Sequence, residues 1–358
     1  MTLLEVRDLN VSFPTADGVV RAVRGVSFDV EPGRTLGIVG ESGSGKTVLT
    51  QTLLGLTPGA EVTGNALFEG ADLLDLNEDE LRRVRGARIS VIFQDPLTSL
   101  HPLYKIGWQI SEMIRAHDKS VSKSEAAART VELLRRVGIP KAETRANDYP
   151  HQFSGGMRQR AMIAMALALE PRLIIADEPT TALDATVQAQ ILDLLLRLQE
   201  DLGTALIMIT HDLGVVADIA DDVLVMYAGR AAEKGPKRDI FYTPHHPYTK
   251  GLLESIPSSS AAGGRLKPIP GQPPSLINLP SGCKFHPRCG YVFDRCKEEE
   301  PVLRPISESG LHTSACWLPA ASAGLSAEAE KVREETVQAE RGDEPAPATA
   351  AGNEGSVA

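Results

Sequence analysis

Gly40-Glu41-Ser42-Gly43-Ser44-Gly45-Lys46-Thr47 is the stretch that decides the fold. An apolar run, Thr35-Leu36-Gly37-Ile38-Val39, leads into it, and Val48-Leu49-Thr50-Gln51-Thr52-Leu53-Leu54 leads out. Strand, glycine loop, helix is the context that a phosphate-binding P-loop requires. Glycines let successive N–H groups turn inward around an anion, and the new helix aims its positive end at the same spot. In such a loop Ser42, Gly43, Ser44 and Gly45 form the cradle. Lys46 neutralises the β- and γ-phosphates of a nucleotide, and the Thr47 hydroxyl ligates Mg²⁺.

Upstream, Leu4 to Phe13 alternates apolar and polar residues, as a half-buried strand does, and Ala22 to Val30 repeats the pattern after a turn at Gly18. These predict antiparallel strands flanking the P-loop strand. Phe13 is either a core aromatic or a platform for an adenine ring. Downstream, Val62 to Leu74 reads as strand, Leu73 to Arg85 as a charged amphipathic helix, and Arg88 to Phe93 as a buried strand. Gln94 then stands at a strand's carboxyl end, where ligands bind in parallel sheets. It is either a surface amide or a group that reaches Mg²⁺ and the attacking water.

From Leu97 the pattern turns helical. Ile106 to Ala116 and Lys123 to Val137 are periodic, the second opened by Ser122 as an N-cap. Residues 97–170 read as a helical insertion in an α/β core. Near its end, Phe153-Ser154-Gly155-Gly156-Met157-Arg158-Gln159-Arg160 opens a helix rich in small apolar residues. A Ser-Gly-Gly helix start is a second anion-binding terminus. Since one nucleotide rarely needs two such sites, Ser154, Gly155 and Gly156 are expected to serve the nucleotide of another subunit. Arg172-Leu173-Ile174-Ile175-Ala176-Asp177-Glu178-Pro179 is a hydrophobic strand closing on two acids. Asp177 suits the Mg²⁺ shell and Glu178 a general base acting on water. Thr181-Ala182-Leu183-Asp184 and a periodic helix through Leu198 follow. A further strand, Ala205 to Thr210, ends at His211, a candidate γ-phosphate sensor.

The 358 residues are enough for two or three domains, and 42% hydrophobic with 23% charged residues is ordinary for a globular protein. A net charge of −10 argues against a nucleic-acid scaffold. No basic and apolar leader opens the sequence, and no apolar run approaches the ~18 residues of a membrane span. A cytosolic location is expected, with docking onto a membrane protein left open.

Taken together, these residues resemble an ATP-binding-cassette ATPase. Residues 40–47, Gln94, Phe153 to Met157, residues 173–178, Asp184 and His211 stand in that family's order and spacing, over residues 1 to about 235. The resemblance implies that Lys46, Thr47 and Asp177 hold nucleotide and Mg²⁺, and that Gln94, placed to reach the Mg²⁺ as well, couples the site to a partner. It implies Glu178 as catalytic base, His211 on the γ-phosphate, and Asp184 beside the shared site. Gln94-Asp95-Pro96-Leu97-Thr98-Ser99-Leu100 and Thr180 to Asp184 resemble, more narrowly, the D-type ATPase subunits of dipeptide and oligopeptide importers. His101 stands where that family commonly has Asn, and Phe153 and Met157 where the generic signature has Leu and Gln. Neither departure touches a catalytic group.

His246-Pro247-Tyr248-Thr249 and the Pro-rich segment after it resemble those subunits' C-terminal extension. All four cysteines, Cys283, Cys289, Cys296 and Cys316, lie there. Their spacing lacks a C-x-x-C pair and is unlike a zinc ribbon. The resemblance implies a [4Fe–4S] cluster, with zinc and unliganded or oxidised thiols as the alternatives. From Ala320 onward, Ala, Glu, Gly and Pro dominate, predicting disorder with a transient helix over 328–341.

The expected architecture is α/β. A P-loop NTPase core of the ABC type (1–96 and 171–235) carries an antiparallel β subdomain, a helical subdomain (97–170), a small irregular Cys-rich domain (236–319) and a tail (320–358). The implied function is ATP hydrolysis powering peptide import from the cytoplasmic face of the membrane. Implied partners are a second, F-type ATPase subunit, two transmembrane permease subunits and an external substrate-binding protein. Import of nickel, glutathione or oligosaccharide, and a soluble non-transport ATPase, are the alternatives.

Overall fold

The strand that feeds the glycine loop, β3 (Thr35–Val39), lies inside the larger of two sheets in the computed structural model, which describes residues 2–181, 183–255 and 268–319. The expected tail and its helix over 328–341 lie outside the described residues. The remaining strands are β1 (Leu4–Thr15), β2 (Gly18–Val30), β4 (Glu61–Phe68), β5 (Ala71–Asp72), β6 (Ile89–Ile92), β7 (Leu173–Asp177), β8 (Ala205–Thr210), β9 (Asp222–Tyr227), β10 (Arg230–Pro236), β11 (Arg304–Pro305) and β12 (Thr313–Ser314). The large sheet runs β11-β12-β10-β9-β3-β8-β7-β6. From β9 to β6 neighbouring strands are parallel. The loops after β3, β6, β7 and β8 therefore leave from one edge, which is where open parallel sheets bind ligands. Every residue of β3, β7 and β8 is buried, as strands covered on both faces must be.

The predicted antiparallel pair forms, but it does not flank β3. β1 pairs with β2 on one side and β4 on the other, in a separate sheet of order β2-β1-β4-β5. Both edges of β1 are thus taken, and β3 finds its neighbours in β8 and β9. The small sheet turns its apolar face onto the helix Lys46–Thr52. Leu4, Val6, Leu9 and Phe28 share one core with Leu49 and Leu53.

The expected helix over 73–85 shortens to Glu78–Val84. Asn77 accepts from the N–H groups of Asp79 and Glu80, and the Glu80 carboxylate accepts from the Asn77 N–H, so a capping box fixes the start five residues later than periodicity suggests. Helices Ile106–His117 and Lys123–Arg136 form where predicted, and Ser122 accepts from the Glu125 N–H as the N-cap. They pack with Gly155–Ala166, whose Ala161 and Ala164 admit close neighbours. The same core continues into Ile191 and Leu192 of Ala185–Leu202 and into Ile174 and Met208 of the sheet.

Beyond β10, the helix Pro247–Glu254 and residues 268–319 wrap back onto the sheet. β12 pairs with β10, placing Ser314 opposite Glu233. Glu233 is fully buried, accepts from the backbone N–H groups of His245 and His246, and pairs with His312 Nε2. The four cysteines depart from expectation. None is in a disulfide, and among the described residues no group of three or more His, Cys, Asp or Glu side chains is disposed to hold a metal ion. Burial pushes the Cys283 thiol up to about 11 and the Cys316 thiol up to about 12. A buried thiol packs as a small hydrophobe. Cys296 does so against Phe293 and Leu318. The expectation of an iron–sulfur or zinc centre is therefore corrected.

Replacing Asn77 with Ala removes the side-chain half of the capping box and leaves in place the backbone N–H from which Glu80 accepts. It is expected to lower the unfolding free energy by about 1 kcal/mol. In a urea titration this appears as a lower midpoint with an unchanged slope.

Candidate functional site

Residues 40–47 close tightly against the rest of the fold. Gly45 has φ +100°, and a Cβ there would lie 2.2 Å from the Ala22 carbonyl oxygen of β2. A Cβ on Gly40 would lie 2.3 Å from the Met226 carbonyl oxygen of β9. Glycine is needed at both positions, because the loop passes directly over backbone. The Ser44 carbonyl accepts from the Gly229 N–H, and the Ser44 hydroxyl is buried with no partner among the described residues.

Lys46 is 5% exposed and donates to the carbonyls of Gly40 and Glu41 at 2.7 and 3.0 Å. Burial pushes its ammonium below the usual range, opposed by the carboxylates of Glu178, Asp177 and Glu41. Asp177, at the end of β7, is pushed above the usual carboxylate range by burial, opposed by a hydrogen bond from Thr47 Oγ1 at 3.1 Å. An orphaned hydroxyl, a buried cation and a paired hydroxyl and carboxylate suit a polyphosphate with a hard divalent cation.

Glu178 follows Asp177 with φ +46°, a backbone region uncommon for a residue with a side chain. Its N–H donates to the Ile209 carbonyl, which locks the turn to β8. Three groups converge on its Oε2 atom. Gln94 Nε2 donates at 3.2 Å, the Thr181 hydroxyl donates at 2.9 Å, and His211 Nδ1 stands 3.3 Å away. Gln94, Glu178 and His211 arrive from the ends of β6, β7 and β8, so the parallel sheet itself gathers them. Sequence reading missed Thr181 as a contributor; a hydroxyl three residues beyond a strand-end acid was the available signal.

Ser154, Gly155, Gly156 and Asp184 form a second group. Ser154 is exposed and accepts from the Met157 N–H as N-cap of Gly155–Ala166. Asp184 caps Ala185–Leu202 by accepting from the Val187 N–H. The two helix starts touch, since a Cβ on Gly156 would lie 2.9 Å from a Val187 methyl. Phe13 lies on β1 opposite Val20, half-buried against the core beneath the P-loop helix.

Fold and site together define an ATP-binding cassette. The dimeric ATP-binding cassette MJ0796, solved in a post-hydrolysis state bound to ADP and Pi, superposes with a TM-score of 0.59. It shares 28% sequence identity over 66% of this chain and 99% of that one. Residues 23–181 match the ABC transporter family, and residues 232–296 match the oligopeptide/dipeptide transporter C-terminal region. The dipeptide transport ATP-binding protein DppD of Lactococcus lactis is 53% identical over 318 residues, 88% of this chain and 90% of that protein. The oligopeptide transport ATP-binding protein OppD of Bacillus subtilis is 53% identical over 320 residues, 88% of each. The chain belongs to the family of dipeptide and oligopeptide transport ATP-binding proteins.

Gly45→Ala places a methyl against the Ala22 carbonyl at a backbone angle that disfavours it. The variant is expected to lose ATP binding while keeping its far-ultraviolet circular dichroism. A titration with a fluorescent ATP analogue checks this.

Proposed function

We propose that this chain hydrolyses ATP to ADP and phosphate as the motor subunit of an importer of dipeptides and oligopeptides. The observation that carries the proposal is the convergence of Gln94, Thr181 and His211 on one oxygen of Glu178, beside the Thr47–Asp177 pair and the buried Lys46. On this reading the loop N–H groups of 42–45 and Lys46 bind the phosphates. Thr47, Asp177 and Gln94 hold Mg²⁺, which when bound neutralises charge on the phosphate oxygens. Glu178 takes a proton from the attacking water. Thr181 and Gln94 fix the carboxylate that must do so, and His211 senses the γ-phosphate from the neighbouring strand end. Phe13 offers a surface for the adenine.

One glycine loop and one Ser-Gly-Gly start per chain mean that two cassettes are needed to complete a site. We assign the second to an F-type subunit, whose loop would face Ser154, Gly155 and Gly156 of this chain, with Asp184 at the junction. The reading divides the chain into a nucleotide-binding core (1–96 and 171–235), a helical unit (97–170) and a small C-terminal Cys-bearing domain (236–319). Among the described residues no helix is long and apolar enough to cross a membrane. The chain is accordingly assigned a peripheral place at the cytoplasmic face, bound to two permease subunits that receive cargo from an external binding protein. An exposed apolar group beside the Gln94 loop supports that docking. Leu103 is 77% exposed, and Tyr104 stacks on the half-exposed Trp108 with ring centroids 4.3 Å apart. The similar proteins are named for dipeptides and oligopeptides, which favours peptide cargo over nickel, glutathione or sugars.

Glu178→Gln is expected to abolish phosphate release while retaining bound ATP, read by phosphate assay and by nucleotide retained on the purified complex. Full turnover by that variant would remove Glu178 from its assigned role. Thr181→Val frees the Glu178 carboxylate and is expected to lower kcat roughly tenfold, the loss of one positioning hydrogen bond, with little change in KM for ATP.

A further inference from the structure

Arg288 reaches from the C-terminal region into the glycine loop. Its side chain is 4% exposed, and its Nη1 and Nη2 atoms donate to the two carboxylate oxygens of Glu41 at 2.6 and 2.9 Å. The guanidinium is itself fixed, because Nε donates to the Pro270 carbonyl at 2.8 Å and Nη1 lies 3.4 Å from the Tyr227 hydroxyl. A second residue from outside the cassette grips the same loop position. Tyr248, fully buried on the helix Pro247–Glu254, accepts from the Glu41 N–H at 2.8 Å. Glu41 is thus held by side chain and backbone, and its carbonyl is one of the two that Lys46 contacts and also accepts from the Ser44 N–H.

Glu41 creates a physical problem. A carboxylate within a loop built to receive a polyanion repels its own ligand, and partial burial weakens the screening that water would give. A bidentate Arg–carboxylate pair removes that charge and fixes the plane of the acid at once. A lysine would supply charge without the fork.

We propose that Arg288 is a positioning residue for the nucleotide site: it cancels the Glu41 charge and, with Tyr248, sets the glycine loop in its ligand-receiving shape, so that the C-terminal region tunes ATP affinity. The proposal rests on residues 40–47 being the nucleotide cradle. Wild-type protein that bound no ATP would remove that reading, whereas the variants below test only the coupling.

The experiment compares dissociation constants for ATP with Mg²⁺ on the full chain. Arg288→Gln leaves Glu41 charged and unpaired and is expected to weaken binding on the order of tenfold, the size of one lost charge-assisted bond. Adding Glu41→Gln to it removes the stranded charge and is expected to restore affinity to within a few-fold of wild type. A purely structural role for Arg288 would show no such rescue. Arg24→Gln serves as control. It breaks the Arg24–Glu300 pair, which also joins the C-terminal region to the core, and is expected to leave ATP affinity unchanged. Unchanged affinity in Arg288→Gln overturns the proposal. So does a double variant as weak as the single one, or an equal loss in Arg24→Gln. Should Arg288→Gln fail to fold, Tyr248→Phe carries the test: several-fold weaker binding supports the proposal, and wild-type affinity overturns it.

Discussion

Two opposite charges, Lys46 and Asp177, are buried at the carboxyl edge of the parallel sheet, and burial disfavours the ionised form of each. Removing an ammonium and a carboxylate from water costs several kcal/mol per ion unless both find partners. Among the described residues, Lys46 meets only neutral carbonyls, those of Gly40 and Glu41, and Asp177 only the Thr47 hydroxyl, by direct side-chain hydrogen bond. A site with this electrostatic shape gains most from a ligand that carries both signs. On the reading proposed here, a phosphate chain with its divalent cation supplies them. The rest of the fold serves to hold the two charges at that spacing: β3 carries the loop, β7 carries the acid, and β8 lies between them.

What could be read in advance was local. The glycine loop, Asp177 and Glu178 are contiguous runs whose chemistry is set by nearest neighbours along the chain, and four of the five parallel strands, β3, β6, β7 and β8, were legible as short apolar runs. Thr181 was harder to see because its role depends on how the chain turns after Glu178, where a positive φ swings the next residues back over the carboxylate. The antiparallel pairing of β1 with β2 was legible, but its placement beside β3 failed for a similar reason. Alternation reveals one buried face but not which sheet covers it, and both edges of β1 were already occupied by β2 and β4.

The C-terminal region was the least legible. Four cysteines clustered in sequence read as ligands of one centre, yet spacing along the chain does not reveal how the side chains are disposed, and among the described residues no group of three or more His, Cys, Asp or Glu is placed to hold a metal ion. Burial raises the thiols of Cys283 and Cys316, and Cys296 packs in a small apolar core. The links that do join this region to the nucleotide loop, Glu41 to Tyr248 and to Arg288, span 207 and 247 residues. No motif contains both ends of either, and none of these residues alone is unusual.

Coupling between the two groups of site residues follows from how short the path between them is. Glu178 accepts the Thr181 hydroxyl and, through its carbonyl, the Thr181 N–H. Leu183 N–H then bonds the Thr180 carbonyl, and Asp184 caps the next helix. That helix touches the Ser-Gly-Gly start through Val187 and Gly156. If, on the proposed reading, Ser154 and Gly156 close on a neighbour's nucleotide, the strain enters close to the loop that carries this chain's own carboxylate, because few residues separate the two. Alternation between two such sites then needs no long-range signal. On the proposed reading, one turn of chain, already held in an uncommon backbone conformation at Glu178, would connect the site that a subunit completes for its partner with the site it uses itself.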